Sequence, residues 1–164
     1  MKKTITSACL IVFECFFNYV YSQNHQTTIN QAELLKQFEG IWTCEIGKDT
    51  TAIWEMIPYG SGFEAKLKYV TKGKTVKEGQ GLYGYDIKLD KIIEAGITKG
   101  KDIGVYVMWF VSESKWKLIP FADLGNPEKA SFSMEGEFKS HDNLVETNFE
   151  NGKAVKIKKW MKNK

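Results

Sequence analysis

Apolar and polar residues alternate along most of the chain with a period of two. Between Phe63 and Tyr69 every second residue is apolar, and the residues between them are glutamate or lysine. Similar alternation recurs in 83–89, 131–138 and 155–158. A period of two is that of a strand with one buried face and one solvated face. The pattern therefore predicts a chain built mainly from half-buried β-strands.

Turn signals separate these runs at fairly even spacing. The strongest is Asn151-Gly152, since both residues tolerate the positive φ that a two-residue hairpin turn requires. No long helical pattern intervenes, which argues against a parallel sheet, and many short strands with one apolar face fit a closed barrel or a sandwich. We predict an all-β fold, a single antiparallel up-and-down β-barrel of about eight to ten strands with one short N-terminal helix. Eleven runs are the candidates for these strands: 41–47, 50–57, 62–71, 75–80, 82–89, 92–97, 104–111, 115–121, 130–139, 144–150 and 154–161.

The segment before the first strand follows helical spacing instead. Asn30, followed three residues later by Glu33, forms a pair like a capping box, and apolar residues continue at helical spacing up to Phe38. Gly40 then ends the segment, as glycine does after many helices. We predict a short helix over 31–38 that leads directly into the first strand.

The run from Val105 to Val111 is apolar without a gap and so breaks the alternation. We interpret it as a strand that is covered on both faces. The alternative is an apolar rim that meets a ligand or a partner.

The first residues have the pattern of a secretory signal. Two lysines precede a mainly apolar run over 8–20, and residues 20–22 resemble a small-x-small cleavage site. We predict a signal peptide over 1–22, a mature domain over 23–164, and export to the periplasm or out of the cell. An uncleaved N-terminal anchor is the alternative. Cys44 would then be the only cysteine of the mature domain, and we interpret it as a buried apolar residue.

The composition narrows the range of partners. All 23 basic residues are lysines, and the absence of arginine argues against sequence-specific binding of nucleic acid. The lysines are interleaved with 20 acidic residues, which is typical of a solvated surface. The 10 Phe, 7 Tyr and 5 Trp residues favour strands and apolar pockets.

One short motif carries a family resemblance. Gly40-x-Trp42 opens the first strand directly after the helix, and a Gly-x-Trp at this place resembles the hallmark of the lipocalins and related calycin barrels. Over 31–161 the chain is similar to small exported bacterial lipocalin-like domains of uncharacterised function. The resemblance implies a barrel of eight to ten strands, with Trp42 plugging its closed end and Gly40 allowing the chain to pass close by, and it implies no reaction. Lipocalins place an arginine of the last strand over this tryptophan, and the candidates to replace it here are Lys156, Lys158 and Lys159.

Residues for catalysis or metal binding are few. His25 lies in a predicted tail, and His141 lies beside Asp142 in a predicted turn, so no zinc site of standard spacing can be written. The glycines of 79–84 match G-x-G-x-x-G, but a strand follows them and not the helix that would hold a pyrophosphate. We predict no catalytic residue, no cofactor and no metal.

The predicted interior combines aliphatic walls with tyrosine hydroxyls, which is typical of a site for a small apolar ligand with one or two polar groups. We therefore predict a barrel that binds a small hydrophobic ligand without catalysis. Two alternatives remain: a filled barrel that acts as an interaction protein of the cell envelope, and a barrel enzyme that uses pocket tyrosines with Asp86 as acid and base. The predicted pocket lining is Trp54, Tyr69, Tyr83, Tyr85, Tyr106 and Phe132.

Overall fold

The computed structural model describes residues 29–163, which form a closed antiparallel barrel of ten strands. Each strand pairs with its neighbour in the chain, and the last strand pairs back with the first, so the predicted up-and-down barrel is confirmed. The predicted signal peptide and His25 lie outside the described residues. No helix within 29–163 has the length and apolar character needed to span a membrane. The elements are α1 (Gln31–Leu35), β1 (Gly40–Gly47), β2 (Thr50–Tyr59), β3 (Gly62–Thr71), β4 (Lys74–Asp86), β5 (Lys91–Thr98), β6 (Ile103–Phe110), β7 (Lys115–Pro120), β8 (Phe132–Ser140), β9 (Asn143–Glu150) and β10 (Lys153–Lys162).

Alternate residues of the strands point into the barrel, as the period of two predicts. In β3, Phe63 and Ala65 are buried, whereas Lys68 on the other face is exposed. The hairpin between β9 and β10 turns at Asn151 and Gly152, whose φ angles are 48° and 74°. Positive φ at both central residues is the geometry that this dipeptide favours, so the turn prediction is confirmed.

Helix α1 lies over one end of the barrel, which we call the closed end. The Asn30 side chain accepts a hydrogen bond from the Glu33 backbone N–H at 3.0 Å, as the capping prediction required. The predicted helix 31–38 is shorter than expected, because 36–38 form a 3-10 turn. The buried Gln31 side chain donates to the Phe110 carbonyl at 3.1 Å and accepts from its N–H at 2.7 Å. This pair of bonds fixes the helix against the last residue of β6.

Two predicted strands, 75–80 and 82–89, are a single strand. β4 runs without a break through its glycines, because residues on both sides of Gly81 pair with β3 and with β5. The strand ends at Asp86, and the turn that follows leaves Ile87 on the surface. The glycines do not interrupt β4, because β3 on one side and β5 on the other form backbone hydrogen bonds with it.

The apolar run 105–111 is covered on both faces only in its middle. Val107 and Met108 point to opposite faces of β6, and both are buried. Val105 and Val111 at the two ends of the run are exposed.

Trp42 occupies the closed end of the barrel and has no exposed surface. Its indole Nε1 donates to the Phe38 carbonyl at 2.7 Å, and its ring packs 5.9 Å from that of Phe138. The cation over this ring is Lys162, whose Nζ lies 5.3 Å from the ring centroid. Gly40 has a φ of 114°, and a Cβ there would lie only 2.8 Å from Lys162 Cε, so the glycine makes room for the lysine stem. The lysines predicted for this place lie elsewhere along β10: Lys156, Lys158 and Lys159.

Candidate functional site

The barrel interior is not filled. Beyond the packed closed end, it encloses a cavity of about 450 Å³ that receives side chains from β2 to β10. The part of the lining nearest α1 is aromatic and contains Phe38, Trp116 and Trp160. Aliphatic side chains, including Leu67 and Leu118, form much of the wall.

A row of glycines gives the cavity its width on one side. Gly81, Gly96 and Gly104 lie directly opposite one another on β4, β5 and β6, and all three line the cavity. Because glycine has no side chain, the wall here is bare backbone. The Tyr106 ring lies over Gly104, where a Cβ would come within 2.6 Å of it. Of the glycines of 79–84, Gly79 and Gly81 line the cavity.

Glu94 projects into the cavity from the centre of β5. It lies opposite Tyr83 on β4 and Tyr106 on β6, and the surface that it keeps faces the cavity. Burial raises the pKa of Glu94 to about 7, the nearby Glu146 carboxylate adds to that rise, and a hydrogen bond with the Tyr83 hydroxyl partly opposes it. Burial and the adjacent Glu94 carboxylate raise the pKa of Tyr83 well above its usual value, so Tyr83 is a neutral hydrogen-bonding group.

A buried ion pair crosses from β9 to β10 on another side of the cavity. Lys158 Nζ lies 2.5 Å from Glu146 Oε1, and the two side chains are only 10% and 7% exposed. The other carboxylate oxygen accepts from Trp160 Nε1 at 3.2 Å. Burial alone would lower the pKa of Lys158, but the adjacent carboxylate outweighs it and raises that pKa. Each side chain of the pair thus has its partner within the protein.

Two buried polar atoms near the cavity have no hydrogen-bond partner among residues 29–163. They are the indole Nε1 of Trp116 and the side-chain oxygen of Asn148. Trp116 lines the cavity and is only 3% exposed, because its ring lies across Gly136 where a side chain would collide with it.

The structure brings four of the six predicted pocket residues together. Tyr69 packs against the core but does not reach the cavity. Tyr85 is 37% exposed near the closed end, where its hydroxyl donates to Asp90 Oδ1 at 2.9 Å. The predicted residues that line the cavity are Trp54, Tyr83, Tyr106 and Phe132.

The polar residues singled out in the sequence lie away from the cavity. Asp86 Oδ1 accepts from the N–H groups of Lys88 and Leu89 at 2.8 and 3.1 Å, so its carboxylate holds the turn after β4. His141 and Asp142 contact each other at 2.7 Å in the exposed turn between β8 and β9. Within 29–163 no three His, Cys, Asp or Glu residues are placed to hold a metal ion together.

The charged residues of the cavity were missed by sequence reasoning. The alternation over 155–158 was interpreted with its apolar residues inside, and this is wrong: Ile157 is 63% exposed, and Lys158 points inward. An inward Glu94 breaks the rule that charged positions face water. The sequence gives one signal that Glu94 departs from this rule: residues 92–95 alternate only weakly between apolar and polar.

Comparison with known proteins gives no family for this chain. No known protein-family model matches the sequence, and a search of curated proteins finds no match.

The titration of Glu94 should appear in the pH dependence of stability. The folded protein holds a proton up to a pKa of about 7, whereas the ordinary pKa of a glutamate is 4.5, so the unfolded chain binds fewer protons in this interval. The contribution of Glu94 to the free energy of unfolding is therefore most favourable below pH 4.5. It decreases as the pH rises from 4.5 to about 7. Between about pH 5 and about pH 8, we expect the free energy of unfolding of the wild type to fall by on the order of 2 kcal/mol more than that of Glu94→Gln, because glutamine does not titrate.

Urea titrations of the two proteins at several pH values measure the effect. Glu135→Gln is the control, because Glu135 faces outward on β8 and makes an exposed ion pair with Lys117 at 2.9 Å. The prediction fails when the wild type and Glu94→Gln lose stability equally over this pH range.

Proposed function

We propose that this protein is an exported lipocalin-like barrel that binds a small, mostly hydrophobic molecule in its interior and releases it unchanged. The observation that carries the proposal is the cavity of about 450 Å³, which falls in the size range of small-molecule sites. Its walls are mainly apolar and aromatic, with a few polar groups at fixed places, as such sites commonly are. The Gly40-x-Trp42 entry after a short helix supports the lipocalin-like part, and the signal pattern over 1–22 supports export.

Two features favour binding over the alternatives. A filled barrel would leave no room for a ligand, whereas here the glycine row on β4 to β6 keeps the interior wide. The enzyme alternative relied on Asp86, whose carboxylate is bonded to two backbone N–H groups of a turn outside the cavity lining.

A substitution that fills the cavity should weaken ligand binding. Leu67→Trp places an indole in the space that Leu67 lines, so we expect the affinity for the uncharged fluorescent probe N-phenyl-1-naphthylamine to fall about tenfold or more, because its apolar contacts are displaced. Fluorescence titration measures the change. The matched control is Leu82→Trp, on the outer face of the adjacent strand, where Leu82 is 51% exposed.

Equal loss in both variants, or none in Leu67→Trp, would contradict interior binding. A native mass spectrum of the mature protein, purified without detergent, complements the titration. We expect an adduct of small-molecule mass that disappears on denaturation.

The outer face of β4 to β6 supports a second candidate, an interaction protein. Leu82, Ile97 and Ile103 are exposed there on neighbouring strands and form an apolar patch. A dimer peak in the same mass spectrum, abolished by Ile97→Lys, would favour this candidate.

A further inference from the structure

We propose that the ligand of this cavity is a cationic amphiphile: an organic ammonium group that rests against Glu94, on an apolar body that lies among the aromatic side chains. The inference deepens the proposed function and rests on it, because it specifies the ligand of the same cavity.

The cavity lining carries more negative than positive side chains. The cavity lining contains three carboxylates and two lysine ammonium groups. Lys101 and Asp102 are adjacent in the loop between β5 and β6, which borders the cavity. Deeper inside, Lys158 is held on Glu146 at 2.5 Å. One interior carboxylate, that of Glu94, is left over.

Glu94 has no counter-ion among residues 29–163. No cation of residues 29–163 lies within ion-pair distance of it, and its polar partner is the uncharged hydroxyl of Tyr83. The charge that acts on it is another carboxylate, Glu146. A buried carboxylate without a counter-ion is costly, and either a proton or a cation relieves that cost. A cationic ligand would therefore form an ion pair with Glu94 that no residue of 29–163 forms.

Aromatic residues lie on both sides of Glu94 in the sheet. Tyr83 and Tyr106 lie opposite it on the two neighbouring strands. Phe132 packs edge-on against Tyr106, with ring centroids 6.3 Å apart. The faces of aromatic rings attract organic cations, most strongly where water is excluded. A carboxylate flanked by aromatic rings is thus a site for an alkylated ammonium group, whose methyl groups also prefer an apolar surround.

An anionic amphiphile such as a fatty acid fits poorly. Its carboxylate would meet two interior carboxylates, those of Glu94 and Glu146. Of the two lysines that line the cavity, the buried one, Lys158, already pairs with Glu146 and also lies 5.5 Å from the Trp160 ring centroid. Like charges in a poorly solvated site repel strongly.

A matched series of decyl compounds tests the proposal by calorimetry below their micelle concentrations. The three probes are decyltrimethylammonium, decanol and decanoate, which share one chain and differ in the charge of the head. We expect the ammonium compound to bind about tenfold more tightly than the alcohol, and the carboxylate to bind most weakly. Glu94→Gln should lower the affinity for the ammonium compound about tenfold while changing that for decanol less than about twofold. Glu135→Gln, which removes one outward carboxylate, should change neither.

Each other outcome overturns the proposal in a distinguishable way. If decanol or decanoate binds as tightly as the ammonium compound, or if Glu94→Gln keeps the ammonium preference, the cavity still binds ligands but the cationic class is wrong. If none of the three binds and Leu67→Trp behaves as the wild type with the uncharged naphthylamine probe, interior binding itself is wrong, and this inference falls with it.

The wild type alone provides a second test, should Glu94→Gln fail to fold. A quaternary ammonium keeps its charge at every pH, so its affinity should rise about tenfold from about pH 5.5 to about pH 8.5 as Glu94 loses its proton, while that of decanol stays nearly constant. A flat profile for the ammonium compound would overturn the proposal. The other titratable groups that face Glu94 or the cavity around it are Tyr83, Tyr106, Glu146, Lys158, Lys101 and Asp102.

Discussion

Trp42→Ala is expected to lower the free energy of unfolding by about 3–5 kcal/mol. The side chain is fully buried, and its removal leaves a cavity where the ring contacts Phe138 and Lys162. The change also leaves the Phe38 carbonyl without the indole donor that lies 2.7 Å from it. Because Phe38 belongs to the turn that leads from α1 into β1, we expect the loss to loosen the closed end as a unit. Urea denaturation followed by circular dichroism measures the difference.

Trp109→Ala is the matched control for this prediction. Trp109 also has a lysine over its ring, with Lys91 Nζ 4.9 Å from the centroid, but it is partly exposed on the outer face of β6. Its removal should cost about 1 kcal/mol, since little cavity forms and the exposed cation–π contact is weak. A loss below about 1 kcal/mol for Trp42→Ala would mean that Trp42 does not hold the closed end together.

Alternation and turn chemistry were sufficient to predict an antiparallel all-β fold, and the resemblance carried by Gly40-x-Trp42 favoured the barrel over a sandwich. Two-residue alternation marks which strands have one buried face, and a hairpin dipeptide such as Asn151-Gly152 requires its own backbone geometry whatever surrounds it. Strand ends were less predictable. The division of β4 followed from its glycines, but whether a glycine breaks a strand depends on its neighbours in the sheet, and these are remote in the sequence.

Part of the aromatic lining was predictable, and the charged part was not. Tyr83 follows the alternation of its strand, so its face could be predicted from the local pattern, whereas Tyr106 lies in the apolar run 105–111, where no alternation marks the face. Lys158 lies inside because Glu146, on the strand before it, offers a charge at 2.5 Å. Periodicity places a lysine outside by default, and the exception becomes visible only when the register of β9 and β10 is known.

Lys158→Met is expected to destabilise the protein by about 3–5 kcal/mol. The substitution keeps an apolar stem of similar length but leaves the Glu146 carboxylate buried and without its counter-ion. The remaining hydrogen bond from Trp160 Nε1, at 3.2 Å, does not replace a full charge. Removing one partner destabilises the protein by more than the intact pair stabilises it, because the remaining ion is buried and poorly solvated. Chemical denaturation of the variant measures this loss.

Two controls separate an orphaned charge from a simple loss of contacts. The double variant Lys158→Met with Glu146→Leu removes both charges, so its stability should return to within about 1 kcal/mol of the wild type. Lys117→Met breaks the exposed pair with Glu135 and should cost less than about 1 kcal/mol, since water solvates the carboxylate that remains. If the double variant is as unstable as Lys158→Met, the lysine acts through its packing and not through its charge. Recovery in the double variant would mean that the ion pair is not needed for folding.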